Sequence, residues 1–190
     1  MMKIKNVGEL IAGQVISRIE AKDKDAISLG TKKVLVPKAI KNGEIIHDDL
    51  VTINLKVDVD EKKCTKEGDI ILKLSQPYDA AYITKQDEGI IVTSFCLVLR
   101  DLAENIKPKY LVAFLNSSFY KNQAMRLTSG ATIPMLTKGK IQQIELKELS
   151  IEEQNNIIKL NDEIKKKQNI FDEIIKLEKI KVENLLRGEK

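Results

Sequence analysis

The stretch that decides the architecture is the last one, Ser150–Lys190: SIEEQNNIIKLNDEIKKKQNIFDEIIKLEKIKVENLLRGEK. It holds no proline and a single glycine, Gly188, and its nine basic residues balance nine acidic ones. Ser150-Ile151-Glu152-Glu153 fits a capping box, in which the Ser150 hydroxyl accepts from the Glu153 N–H while the Glu153 carboxylate reaches back. The apolar staple that often accompanies such a box is missing, because Leu149 faces Gln154. Downstream, Ile157, Leu160, Ile164, Phe171, Ile174, Ile175, Val182, Leu185 and Leu186 recur at three- and four-residue steps, which is helical periodicity. One helix from Ile151 to Arg187 is roughly 55 Å long at 1.5 Å per residue, too long for a domain of this size to bury along its length.

A strict heptad seam through Ile157, Asn161, Ile164, Gln168, Phe171, Ile175, Glu178, Val182 and Leu185 is apolar at six of nine positions. The polar positions and the Lys165-Lys166-Lys167-Gln168 interruption argue against a parallel zipper. The stripe is wide enough for an antiparallel coiled coil or a small bundle. Two arrangements are open: a projecting helix that pairs with a second chain, which we expect, or a helix that breaks near Lys167 and folds back on its own domain.

The preceding 149 residues read as mixed α and β. Strands are expected over Val34–Val36, Val51–Leu55, Asp69–Leu74 and Ile90–Leu99, the last apolar on both faces as in a central strand. Gly43, Gly68, Pro77 and Gly89 punctuate them. A helix is expected to start at Pro108, to run through Tyr110, Leu111, Phe114, Leu115 and Met125, and to be terminated by Gly130. The expected class is therefore α+β: a mixed body over residues 1–149 and a long helix over 150–190.

The whole chain of 190 residues carries 32 Lys and Arg against 28 Asp and Glu, a formal charge of +4. That excess is concentrated. Asn105–Ile144 contains Lys107, Lys109, Lys121, Arg126, Lys138 and Lys140 and no acidic residue, whereas residues 1–104 carry 16 basic and 17 acidic side chains. A local basic surface supplies the sequence-independent part of nucleic-acid binding; the alternative is six cations that point apart and are merely solvated. Charged residues at 32% of the chain imply a long solvated surface. No apolar run approaches a membrane span, and Met1–Asn6 opens no signal peptide. Cys64 and Cys96 have no Cys or His beside them, so a reducing cytoplasm is expected.

Catalytic motifs are scarce. Neither GxGxxG nor GxxxxGK[ST] occurs, so no phosphate cradle is expected. His47-Asp48-Asp49 lacks a second histidine and reads as a surface turn rather than a metal site. Three Glu-x-Lys triplets (Glu61/Lys63, Glu145/Lys147, Glu163/Lys165) follow no Pro-Asp strand, and Gln76-Pro77-Tyr78-Asp79 is not the turn of an adenine methylase. Cys96 lies in an apolar strand and reads as core. The segment Leu127–Thr137 leaves a helix through glycine, offers hydroxyls, and is followed by Lys138-Gly139-Lys140. That chemistry suits phosphate contacts, and equally an ordinary connection.

Three stretches then carry a resemblance. Tyr110-Leu111-Val112-Ala113-Phe114-Leu115-Asn116-Ser117, Ser129-Gly130-Ala131-Thr132-Ile133-Pro134-Met135-Leu136 and Ile151-Glu152-Glu153-Gln154-Asn155-Asn156-Ile157-Ile158 occur in the order and spacing seen in specificity (S) subunits of type I restriction–modification systems. Gly68-Asp69-Ile70-Ile71 resembles the "GDI" strand of their target recognition domains, and Leu10-Ile11-Ala12-Gly13 resembles their domain start. This chain departs from the family in Glu148-Leu149-Ser150-Ile151, where a Pro-Pro-Leu run is usual, and in Met135, where asparagine is common.

The resemblance implies a half-length, non-catalytic S protein without cofactor. It would homodimerise through the helix face Ile157, Leu160, Ile164, Phe171, Ile174, Ile175, Val182 and Leu185 as an antiparallel coiled coil. Double-stranded DNA is the implied ligand, and a methyltransferase subunit, with or without a restriction subunit, the implied partner. Residues 1–149 become the target recognition domain. Backbone contacts are expected from Lys121, Arg126, Ser129, Gly130, Thr132, Lys138 and Lys140, and base contacts from Ser75, Gln76, Tyr78, Asp79 and Tyr82. The rival readings are a coiled-coil adaptor that never touches DNA and a small nuclease or methylase.

Overall fold

The computed structural model describes residues 1–21 and 29–188, so the last two residues of the 150–190 segment lie outside it. The strands are β1 (Met2–Lys3), β2 (Glu9–Ala12), β3 (Thr31–Leu35), β4 (Ile40–Lys41), β5 (Glu44–Ile45), β6 (Val51–Asn54), β7 (Ile70–Lys73), β8 (Ala80–Tyr82), β9 (Ile91–Val92) and β10 (Cys96–Arg100). Helices α1 (Pro108–Leu115), α2 (Ser118–Thr128) and α3 (Lys138–Gln143), strand β11 (Glu145–Leu146) and helix α4 (Ile151–Arg187) follow.

A four-stranded antiparallel sheet in the order β2-β10-β7-β8 is the spine of the body. Its side chains alternate between two cores, as the pleat requires. Ile70, Leu72, Leu97 and Leu99 face α1, α2 and α3. Ile71, Cys96 and Val98 face Leu35, Ile40, Ile45 and Val92 on the other side. With both faces covered, Ile70–Leu72 of β7 and Cys96–Leu99 of β10 are continuous apolar runs, and β10 is central as its composition implies. A second sheet, β6-β3-β9, pairs β3 antiparallel to β6 and parallel to β9. The β4–β5 hairpin lies beside β8, and β1 pairs with β11 just before α4.

Two expectations are corrected. The run Ile90–Leu99 is two strands in two sheets, β9 and β10, joined by a turn at Thr93–Phe95 in which Cys96 N–H donates to the Thr93 carbonyl. Gly13 is required there: a Cβ on it would collide with the Thr93 carbonyl. The helix from Pro108 is interrupted at Asn116-Ser117. The Asn116 side chain leaves the helix to bond both the N–H (3.1 Å) and the C=O (2.9 Å) of Ala80, and Ser117 caps α2 by accepting from Tyr120 N–H. Lys138-Gly139-Lys140 forms the first turn of α3, capped by Thr137 and held by Ile141 and Ile144 in the core.

Helix α4 is one unbroken element of 37 residues, so the fold-back at Lys167 does not occur. Its capping box forms as the sequence predicts, and Gly188 ends it in the left-handed conformation at φ 75°. The hydrogen bonds from Ser150 hold the Glu153 carboxyl below its usual range.

Candidate nucleic-acid interface

The register of β10 gives the spine two unlike ends. Cys96 pairs with Lys73, and Arg100 at the other end pairs with Glu9. At the Arg100 end the guanidinium holds the buried Asp69 bidentately, at 2.8 and 2.6 Å, and donates to the carbonyls of Lys62 and Cys64. Its hydrogen bonds to Asp69 raise the Arg100 pKa.

At the Cys96 end three loops converge. Leu74 donates through its N–H to the Phe95 carbonyl (3.1 Å) and accepts through its carbonyl from Leu136 N–H (2.7 Å). Ser75 forms an antiparallel bridge with Met135. The β7–β8 loop, the β9–β10 turn and the segment after α2 are therefore stitched into one edge. The two loops that carry most of the residues singled out in the sequence for base and phosphate contacts are joined here through backbone hydrogen bonds.

The edge is basic. Asp79 is held between Lys73 (3.2 Å) and Lys121 (2.7 Å), so this triad carries one net positive charge. Arg126 and Lys138 are exposed, Lys140 is half-buried, and Ser129, Gly130 and Thr132 lie on the surface. Lys121 and Asp79 thus face each other rather than standing as separate contacts.

Of the base-reading candidates, Gln76 is exposed and Ser75 half-buried. Tyr78 is corrected: it is 1% exposed, and its hydroxyl pairs with Thr128 (2.9 Å) and donates to the Pro134 carbonyl (3.1 Å). It ties the two loops together from inside. Tyr82 lies at the opposite end of β8, paired with Ile70, and donates through its N–H to the Gly43 carbonyl, away from the edge. The residue the sequence reading passed over is Phe95, 55% exposed at the tip of its turn. Its signal was hidden because it sits inside an otherwise buried apolar run.

The residues that carry the family resemblance act as internal fasteners. Asp69 anchors Arg100, and Asn116 grips β8. Gln154, fully buried, accepts from Lys107 N–H (2.8 Å) and donates to the carbonyls of Asn105 (2.8 Å) and Leu149 (3.0 Å). It satisfies the start of α1 and fixes the root of α4 with the same amide. Farther along, Lys165 pairs with Glu44 of the hairpin at 3.2 Å.

Beyond that point α4 leaves the body. Phe171, Ile175, Val182 and Leu185 are 52–65% exposed. Ile157, by contrast, packs on the chain's own core. Between α1 and the first turns of α4 lies an apolar groove of about 440 Å³, walled by Tyr110, Phe114, Phe119, Leu149, Leu160 and Ile164.

His47 donates through Nε2 to the Asp87 carboxylate at 2.7 Å. Among the described residues no group of three His, Cys, Asp or Glu is placed to hold a metal ion, and no helix is long and apolar enough to cross a membrane. Both cysteines are free thiols, and burial pushes Cys96 up to about 12, as suits a core residue.

No family model matches the sequence, and no curated protein matches it. Solved structures do. A chain from a type I R-M system studied for its complex assembly and conformational transition superposes with a TM-score of 0.64 at 19% identity, over 96% of this chain and 48% of that one. The HsdS subunit of Thermoanaerobacter tengcongensis gives 0.63 at 17% identity, over 96% and 44%. The type I restriction–modification S subunit of M. genitalium gives 0.55 at 14% identity, over 97% and 44%. The chain spans a little under half the length of these matches. Sheet order, loop edge and projecting helix together are thus the fold of a type I restriction–modification specificity subunit, over about half of that subunit's length.

Proposed function

We propose that this chain is a DNA sequence-recognition subunit that has no chemistry of its own and directs a partner adenine methyltransferase, with or without a restriction subunit, to a two-part target. Residues 1–149 are the recognition domain and residues 150–190 the dimerisation helix. The observation that carries this reading is the pairing, in one specificity-subunit fold, of a basic loop edge with an unpartnered apolar helix face.

The exposed stripe Leu160, Ile164, Phe171, Ile174, Ile175, Val182 and Leu185 is far more apolar surface than a solitary helix leaves in water, and a second copy covers it most simply. Two identical recognition domains related by a twofold axis read a symmetric bipartite site. On each domain Arg126, Ser129, Gly130, Thr132, Lys138 and Lys140 hold phosphates, with Lys121 sharing its charge with Asp79. Ser75 and Gln76 stand at the edge nearest the bases.

Co-expression with the cognate methyltransferase and mapping of methylated adenines tests the whole reading. A symmetric, interrupted motif is the expected result. An asymmetric motif points to a different second reader, and methylation that does not depend on this chain refutes the proposal. Turnover of DNA by the pure protein with Mg²⁺ or S-adenosylmethionine also refutes it.

A further inference from the structure

Singly exposed apolar side chains ordinarily need no explanation, but Phe95 is held in an unusual way. Its carbonyl accepts from Leu74 N–H (3.1 Å), the preceding Ser94 N–H donates to Gln14 (2.8 Å), and the following Cys96 N–H closes the turn on Thr93 (2.9 Å). The backbone on both sides is thereby fixed while the ring stands 55% exposed. On the far side of Leu74, the segment bonded to it presents Ile133 at 70% exposure.

Lys73, paired in register with Cys96 beside the Phe95 turn, belongs to the Lys73–Asp79–Lys121 triad with its net positive charge, and the segment that presents Ile133 is bracketed in sequence by the exposed Arg126 and Lys138. A ligand that fits must be anionic on its outside and apolar between its charges. Duplex DNA has that form, with phosphates flanking grooves floored by base edges and thymine methyls. Aromatic and aliphatic side chains on rigid turns enter such grooves as wedges or base-edge contacts.

We propose that Phe95 is a base-contacting residue: its ring enters a groove and rests on base surface while the flanking cations hold the phosphates on either side. The proposal rests on the DNA-binding function above, and it adds a residue whose contribution is independent of charge.

The chain contains no tryptophan, so Phe95→Trp creates a single fluorescent reporter at the point in question. The probe is a duplex recovered by the wild-type protein from a random-sequence pool. For Phe95→Ala the affinity is expected to fall about ten- to a hundredfold, the size of one aromatic–base contact. The slope of log Kd against log salt stays unchanged, because no phosphate contact is lost. Arg126→Ala or Lys138→Ala lowers that slope by about one instead. The Phe95→Trp emission is quenched as the duplex saturates the protein.

Wild-type-like affinity of Phe95→Ala, a slope that falls with it, or emission indifferent to saturating duplex overturns the inference while leaving DNA binding intact. Failure of the wild-type protein to bind any duplex overturns both. Phe95-dependent binding to phosphatidylserine–phosphatidylcholine vesicles in preference to DNA assigns the ring to a lipid surface and also overturns it.

Discussion

Replacing Gln154 with alanine tests how the long helix is fastened to the body. Gln154 is fully buried, and its amide makes three hydrogen bonds, with Lys107 N–H and with the Asn105 and Leu149 carbonyls. Alanine removes all three and leaves an amide N–H at the start of α1 without its acceptor. At about 1 kcal/mol of net stability per bond, the loss is roughly 3 kcal/mol, to which the void left by the side chain adds. For a chain of this size that corresponds to a fall in Tm of roughly 6–12 °C. Urea unfolding followed by far-UV circular dichroism measures it: the midpoint falls while the m-value stays constant. Asn155→Ala, one residue along and exposed, is the control and shifts stability by no more than about 0.5 kcal/mol. A loss under about 1 kcal/mol in Gln154→Ala refutes the claim that this amide joins α1 to α4.

Replacing Ile164 and Phe171 together with Asp halves the solution mass without lowering the stability of the body, because both side chains are more than half exposed in the single chain; an unchanged mass by sedimentation contradicts the helix pairing. Arg100→Ala strips Asp69 of its bidentate partner and costs about 3–5 kcal/mol, the range for breaking a buried ion pair from one side, read as a lowered urea midpoint. Glu153, whose folded-state pKa lies below the ordinary 4.5, contributes stability that is present above 4.5 and is lost as pH falls through the lowered value. Glu153→Gln therefore flattens the acid limb of the stability curve, and a limb identical to wild type counts against the capping box as its cause.

How much of this was legible beforehand varies with range. Helix α4 was readable to the residue because its determinants are local: a capping box at Ser150, a three-four apolar rhythm and a terminal glycine. The class and the central strand were readable from composition. The breaks were not. Asn116 ends α1 by bonding Ala80, 36 residues upstream, and β9 leaves β10 to pair with β3; no local rule anticipates a partner so far away. The same limit applied to the site. Both loop groups were named from their chemistry, but Tyr78 turned out to be an internal tie and Phe95 an external tip, because burial is decided by which strands neighbour one another. The short strands β1 and β11 escaped notice for the same reason.

The central claim is that two copies of this chain, joined through α4, read two half-sites at a fixed separation. Selection of duplexes from a random-sequence pool by the purified protein, followed by sequencing, tests it most directly. The account predicts enrichment of an interrupted motif whose two halves are inverted repeats across a spacer of constant length. A pool that stays random after repeated selection, or one that converges on a single uninterrupted site, contradicts it.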